Sequence, residues 1–188
     1  MSPTLIIIGI VIVVLFLFFS LSMNRLNVLY IKARDKGSDL NTALLDRAAQ
    51  FNKIVDQLDE KGIEHNMDKV DLMALGLGMS ATLQMTSSMD LDKKDKKIRE
   101  ILKEHEELKK DEAFLTPYEK FNRTRSELFS YSLEYNKAVH AYSNFTSGFP
   151  GGFLINFKKR QAPVPFTYVF VDLDKTTTDD IPTDMLTA

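Results

Sequence analysis

The stretch Leu5–Met23 constrains this chain more than any other. It reads LIIIGIVIVVLFLFFSLSM, nineteen residues without a charge, with only Gly9, Ser20 and Ser22 as small or polar interruptions. As a helix rising about 1.5 Å per residue it is about 28 Å long, close to the ~30 Å hydrocarbon core of a bilayer. A cleaved signal peptide would carry a basic start, a shorter apolar core and a small-x-small cleavage site. Met1–Thr4 holds no Lys or Arg, and Phe18-Phe19-Ser20-Leu21 offers no such site. The expectation is a retained single-pass anchor over residues 1–23. Arg25, Lys32, Arg34 and Lys36 all follow the run and none precedes it. Basic flanks stay on the cytoplasmic side, so the expected topology is a short outer N-terminus and a cytoplasmic main domain at the inner membrane.

The remainder has room for one domain of ordinary size. Lys and Arg number 24 against 26 Asp and Glu, a formal net charge of −2. That balance argues against a nucleic-acid partner, which calls for a basic face. The absence of cysteine excludes disulfides and thiolate zinc sites. With no tryptophan, Phe16, Phe18, Phe19 and Tyr30 are the aromatics near the anchor. The triplets Asn122-Arg-Thr124 and Asn144-Phe-Thr146 would accept glycans only in a eukaryotic lumen.

After the run, apolar periodicity predicts helices. Leu40, Leu44, Ala48, Phe51, Val55 and Leu58 follow 4,4,3,4,3 spacing, the seam of a bundle or coiled coil. The simplest continuation carries the membrane helix into a long first helix, with Gly37 as a bend or break and Gly62 as its cap. Met67, Val70, Ala74, Leu77, Ala81 and Met85 predict a second helix from Glu64 to about Met85. Gly76-Leu-Gly78-Met-Ser-Ala81 inside it fits the dinucleotide pattern GxGxxA, but no strand or βαβ unit surrounds it; close helix packing is preferred. Met67, Met73, Met79, Met85 and Met89 match no single helix face and read as core filler and adaptable surface.

Thr86–Asp90 reads as a turn or N-cap cluster. Asp90–Glu112 is then a charged helix with a thin seam of Leu91, Ile98, Ile101, His105 and Leu108. His105-Glu106 lacks the second histidine of a zinc-protease helix, since Lys109 stands at the required place. Thr116-Pro117 predicts the start of a last helix, with Phe121, Leu128, Tyr131, Tyr135, Ala138, Val139, Tyr142 and Phe145 as its stripe. Ser147–Gly152 ends it. The fold class expected is all-α: an anchor at 1–23, an antiparallel four-helix bundle at 24–150, an apolar extended segment at 151–171 and an acidic disordered tail at 172–188. The segment packs on the bundle or on the membrane surface, and its Lys158-Lys159-Arg160 could meet acidic headgroups.

The last helix resembles the LemA family, whose pattern is YN-x2-V-x2-YN followed by FP. Tyr135, Asn136, Val139, Tyr142, Phe149 and Pro150 stand at the matching spacings, with Ser143 in place of the second Asn. Arg47, Ile54 and Val55 match a second family stretch, where Asn52 replaces a proline and Ala49 an aspartate. The family layout of short N-terminus, one membrane helix and helical bundle looks like this chain. The resemblance implies a bacterial membrane protein without established catalytic residues. Tyr135 and Tyr142, two turns apart, would fix helix register through polar contacts.

Two function classes follow. One is a non-enzymatic scaffold or adaptor presenting a helical bundle to protein partners at the membrane, with no catalytic, cofactor or metal residues. Its carboxylates sit mainly on charge-balanced faces, and its first-helix seam could also pair with a second copy. The other is a ligand-binding or sensor subunit using the Tyr/Asn/His face of the last helix, with His65, His105 or His140 as working residues.

Overall fold

The computed structural model describes residues 2–76 and 81–157. Among these the fold is all helical: α1 (Pro3–Glu60), α2 (Leu72–Gly76), α3 (Ala81–Glu104), a 3-10 turn (Glu106–Lys110), α4 (Glu112–Ser147) and α5 (Gly151–Phe157). The expected tail 172–188, the apolar piece Pro165–Val171, the basic triplet 158–160 and the middle of the GxGxxA match lie outside the described residues.

α1 is a single helix of 58 residues, with no interruption between the apolar run and the polar stretch that follows. Residues 3–18 are exposed on every side, and this one helix is long and apolar enough to cross a membrane. Gly37 does not break it. A Cβ there would stand 3.3 Å from the Tyr135 ring, so the missing side chain makes room for that ring.

The described residues fall into two compact units. One comprises 39–133. Its core takes the whole first-helix seam: Leu40, Leu44, Ala48, Phe51, Val55 and Leu58 are all buried, as is Ile54. Ile98 on α3 and Phe114, Phe121 and Leu128 on α4 share that core, with the Phe51 and Phe121 rings 6.1 Å apart. The seam is covered by its own chain.

α1 ends where the sequence indicates. Gly62 has φ +67°, its N–H donates to the Asp59 carbonyl, and the Ile63 N–H donates to the Leu58 carbonyl, a Schellman motif. Gly62→Ala forces a Cβ into the left-handed region and is expected to cost about 1 kcal/mol, read as a lowered thermal midpoint with unchanged helix content.

The second helix does not begin at Glu64. Residues 63–71 carry no regular secondary structure, and only Leu72–Gly76 is helical before the segment outside the described residues. Side chains from α1 claim the backbone groups that a helix would need. The Asn52 amide donates to the Val70 carbonyl and accepts from the Val70 N–H, both at 2.8 Å. His65 Nδ1 accepts from the Met67 N–H at 3.1 Å, and Nε2 lies 3.0 Å from Asp59 Oδ1. Asn66 has φ +47°, a conformation that interrupts any helix. Asp71 then caps α2 by accepting from the Met73 and Ala74 N–H groups.

Three further boundaries move. Thr86–Asp90 lies inside α3 rather than at its start, and α3 stops at Glu104. The 3-10 turn then brings Leu108 back into the core, while His105 stays partly exposed beside Glu107. α4 opens at Glu112, five residues before Pro117; its cap is Asp111, whose carboxylate accepts from the Ala113 N–H at 2.9 Å. The same carboxylate pairs with Lys61, and that hydrogen bond holds it below the usual carboxyl range.

The other unit comprises 2–38 and 134–157. Leu26, Tyr142 and Leu154 form its buried centre, with Phe19, Met23, Leu29, Tyr30, Phe145 and Ile155 packed around them. Gly151–Phe157, expected to be extended, is helical. α5 packs within this unit through Leu154, which is only 3% exposed.

Candidate functional site

The sequence-selected motif lies on α4 and the turn after it, and the structure splits it by environment. Tyr135, Val139 and Tyr142 are buried at 5%, 2% and 7% exposure. The Tyr142 and Tyr30 ring centroids are 6.3 Å apart. Burial pushes both phenols above their ordinary pKa, with Tyr30 adding to the effect at Tyr142, so both rings stay neutral near pH 7. Asn136 is partly buried. Phe149 is 75% exposed, and its peptide bond to Pro150 is cis.

His140, between the two buried tyrosines in sequence, points the other way. It is exposed, and its ring lies 3.2 Å from the Asn144 amide one turn on. The Tyr/Asn/His face expected for a ligand is therefore divided between core and solvent. His65 is occupied at both nitrogens as described above. Among the described residues no cluster of three or more His, Asp or Glu side chains is placed to hold a metal ion.

Below the motif, aromatic rings from three elements meet. Phe149 stacks on Phe18 with centroids 6.1 Å apart and planes 20° from parallel, and meets Phe19 edge-on at 6.3 Å. Phe153 on α5 lies 5.7 Å from Phe19. One to two turns further along α1, the Arg25 guanidinium sits 5.2 Å over the Phe145 ring. Gly151 lets the start of α5 lie against the end of α4: a Cβ there would collide with the Phe145 carbonyl.

The 39–133 unit holds a buried charge cluster. Arg47 is fully buried and donates from Nη2 to Asp92 Oδ1 at 2.7 Å, with its guanidinium 4.7 Å over the Phe121 ring. Arg125 Nε is 3.3 Å from the same Asp92 oxygen. On the next turn of α3, Asp95 is 3% exposed and accepts twice from Arg99, at 3.0 and 2.7 Å. Burial lowers the Arg47 pKa from its ordinary value while Asp92 opposes that shift; an arginine remains charged throughout. Arg47 Nε and Nη1 and Asp95 Oδ1 are buried without a hydrogen-bond partner among the described residues. The carboxylates of α3 are thus not all on its solvated faces. The signal was available: Leu91 and Ile98 are seven apart, and the seam position between them is Asp95. Chemically the cluster is a clamp. It offers no open carboxylate or histidine to a substrate.

A shallow groove elsewhere in this unit is lined by Lys53, Asp56, Gln57 and Glu60 of α1 and by Glu112, Ala113, Thr116 and Pro117 of α4. It is charge-mixed, with Ala113 and Pro117 as its apolar part.

No protein-family model, no curated protein and no solved structure matches the chain.

Proposed function

We propose that this is a non-enzymatic, single-pass membrane protein of the inner membrane, a divergent LemA-like scaffold that presents a helical domain to cytoplasmic protein partners. The observation that carries the reading is the unbroken α1, exposed and wholly apolar over its first turns and core-forming over its last. Anchor and domain share one continuous helix, which suits a protein that holds partners at a membrane. The antiparallel course of α1 and α4 is part of the proposal. It is supported by contact order in the 2–38/134–157 unit: Lys36 pairs with Glu134, Tyr30 meets Tyr142, and Arg25 meets Phe145. The non-enzymatic reading is supported by the engagement of Arg47, Asp92, Asp95 and Arg99 in a buried clamp.

Orientation is tested by protease access to a C-terminal tag on the full chain in intact cells, spheroplasts and lysed membranes. Protection until the inner membrane is broken supports the cytoplasmic placement. Cleavage in spheroplasts with the membrane intact overturns it, and partners would then be sought outside. A co-purification from crosslinked membranes that recovers no protein beyond the chain itself would sink the scaffold reading.

A further inference from the structure

We propose that the turn between α4 and α5 is a second membrane contact, in which Phe149 and Phe153 enter the acyl–headgroup boundary of the leaflet where the α1 span exits. This rests on the reading of Leu5–Met23 as a span. The two rings lie at the level of Phe18 and Phe19 on α1, as their 5.7–6.3 Å ring contacts require. Phe18 is five residues before Met23, the last residue of the apolar run, which is about 7.5 Å inside its end at 1.5 Å per residue. Side chains of interfacial helices reach ~5–10 Å into this boundary. A bilayer that surrounds the span up to Met23 therefore also reaches Phe149 and Phe153.

Their outer surfaces fit that occupant. Phe149 is 75% exposed and Phe153 54%, matching Phe16 at 72% and Leu21 at 70% within the run itself. Neither phenylalanine has a polar atom that hydrocarbon would leave unsatisfied. The first charge past the run, Arg25, sits over the Phe145 ring, and the Thr146 and Ser147 hydroxyls between Phe145 and Phe149 donate to the Ser143 and Asn144 carbonyls. Leu154 holds α5 from behind, with the exposed Phe153 beside it. The apolar surface is thus continuous from α1 onto the turn, and lipid covers both.

The chain has no tryptophan, so single-tryptophan variants report local environment. Phe149→Trp, Phe153→Trp, Phe16→Trp and Tyr118→Trp would be made in the full-length protein and reconstituted in phosphatidylcholine–phosphatidylglycerol vesicles. Lipids brominated at shallow or deep acyl positions serve as quenchers. The expected result is blue-shifted emission for Phe149→Trp and Phe153→Trp with strongest quenching by shallow bromines, deeper quenching for Phe16→Trp, and none for Tyr118→Trp. Water-like, unquenched emission at 149 and 153 with Phe16→Trp still quenched overturns the second contact and leaves the span standing. Loss of quenching at Phe16→Trp as well overturns the span, and this proposal with it. As an independent measure, Phe149→Cys should resist a membrane-impermeant maleimide in vesicles and react once detergent is added; rapid reaction in vesicles overturns the proposal.

Discussion

Asp92→Ala is expected to cost about 3–5 kcal/mol, a figure typical of removing one partner from a buried ion pair. The reason lies with Arg47. Its side chain is fully buried, and Asp92, itself only 15% exposed, supplies its one hydrogen bond to a carboxylate. Without Asp92 the guanidinium keeps its charge, because arginine does not titrate in the accessible range, and it is left with the Phe121 ring face and the more distant Asp95 as favourable neighbours. Asp95 is close enough to help electrostatically, yet its own bonds go to Arg99. Arg125 loses the same oxygen and adds like-charge repulsion. The measurement is urea unfolding of the full chain in detergent, followed by far-UV circular dichroism. Arg47→Met combined with Asp92→Leu should recover most of the loss, since buried pairs are often matched by apolar residues of similar volume. A single-variant loss below about 1 kcal/mol would place Asp92 among exposed pairs of little consequence.

The second large effect is expected at Gly151. A Cβ here meets the Phe145 carbonyl oxygen at 2.0 Å and its carbon at 2.7 Å, and backbone of a continuing helix cannot yield as a flexible side chain would. Gly151→Ala should destabilise the docking of α5 by about 3 kcal/mol, the upper end of overpacking costs. Hydrogen exchange localises the effect: amides of α5 and of the α4 end should lose protection, while those of the 39–133 unit keep theirs. Unchanged exchange in α5 would show that the turn has room to spare.

Much of this was legible in the residues alone. The α1 seam could be read because its spacing holds over five helical turns and every member is aliphatic or aromatic. Gly62 could be read because the cap is a local motif. The failure at 63–71 has a physical origin that no local window contains. Met67 and Val70 fit a helical stripe, but their backbone groups bond to His65 and to Asn52, the latter 18 residues away from Val70. Tertiary partners overrode propensity there. α5 was missed because seven residues of β-branched and aromatic character with two leading glycines resemble a strand more than a helix. For the candidate site, the buried half of the α4 motif follows from its stripe. The meeting of Phe149 with Phe18 depends on a chain reversal and could not be counted from spacing.

The unbroken α1 also limits how this chain can vary in length. Leu44, Phe51 and Leu58 recur at seven-residue intervals, each buried. One residue inserted between Leu44 and Phe51 would turn the helix beyond it by about 100°, since a helix has 3.6 residues per turn. Phe51, Val55 and Leu58 would then face away from the core that Leu44 still enters, with no loop to absorb the error. Viable insertions and deletions in this stretch are therefore expected in steps near seven residues, and length variants of other sizes should surface only with a compensating change elsewhere in the same helix.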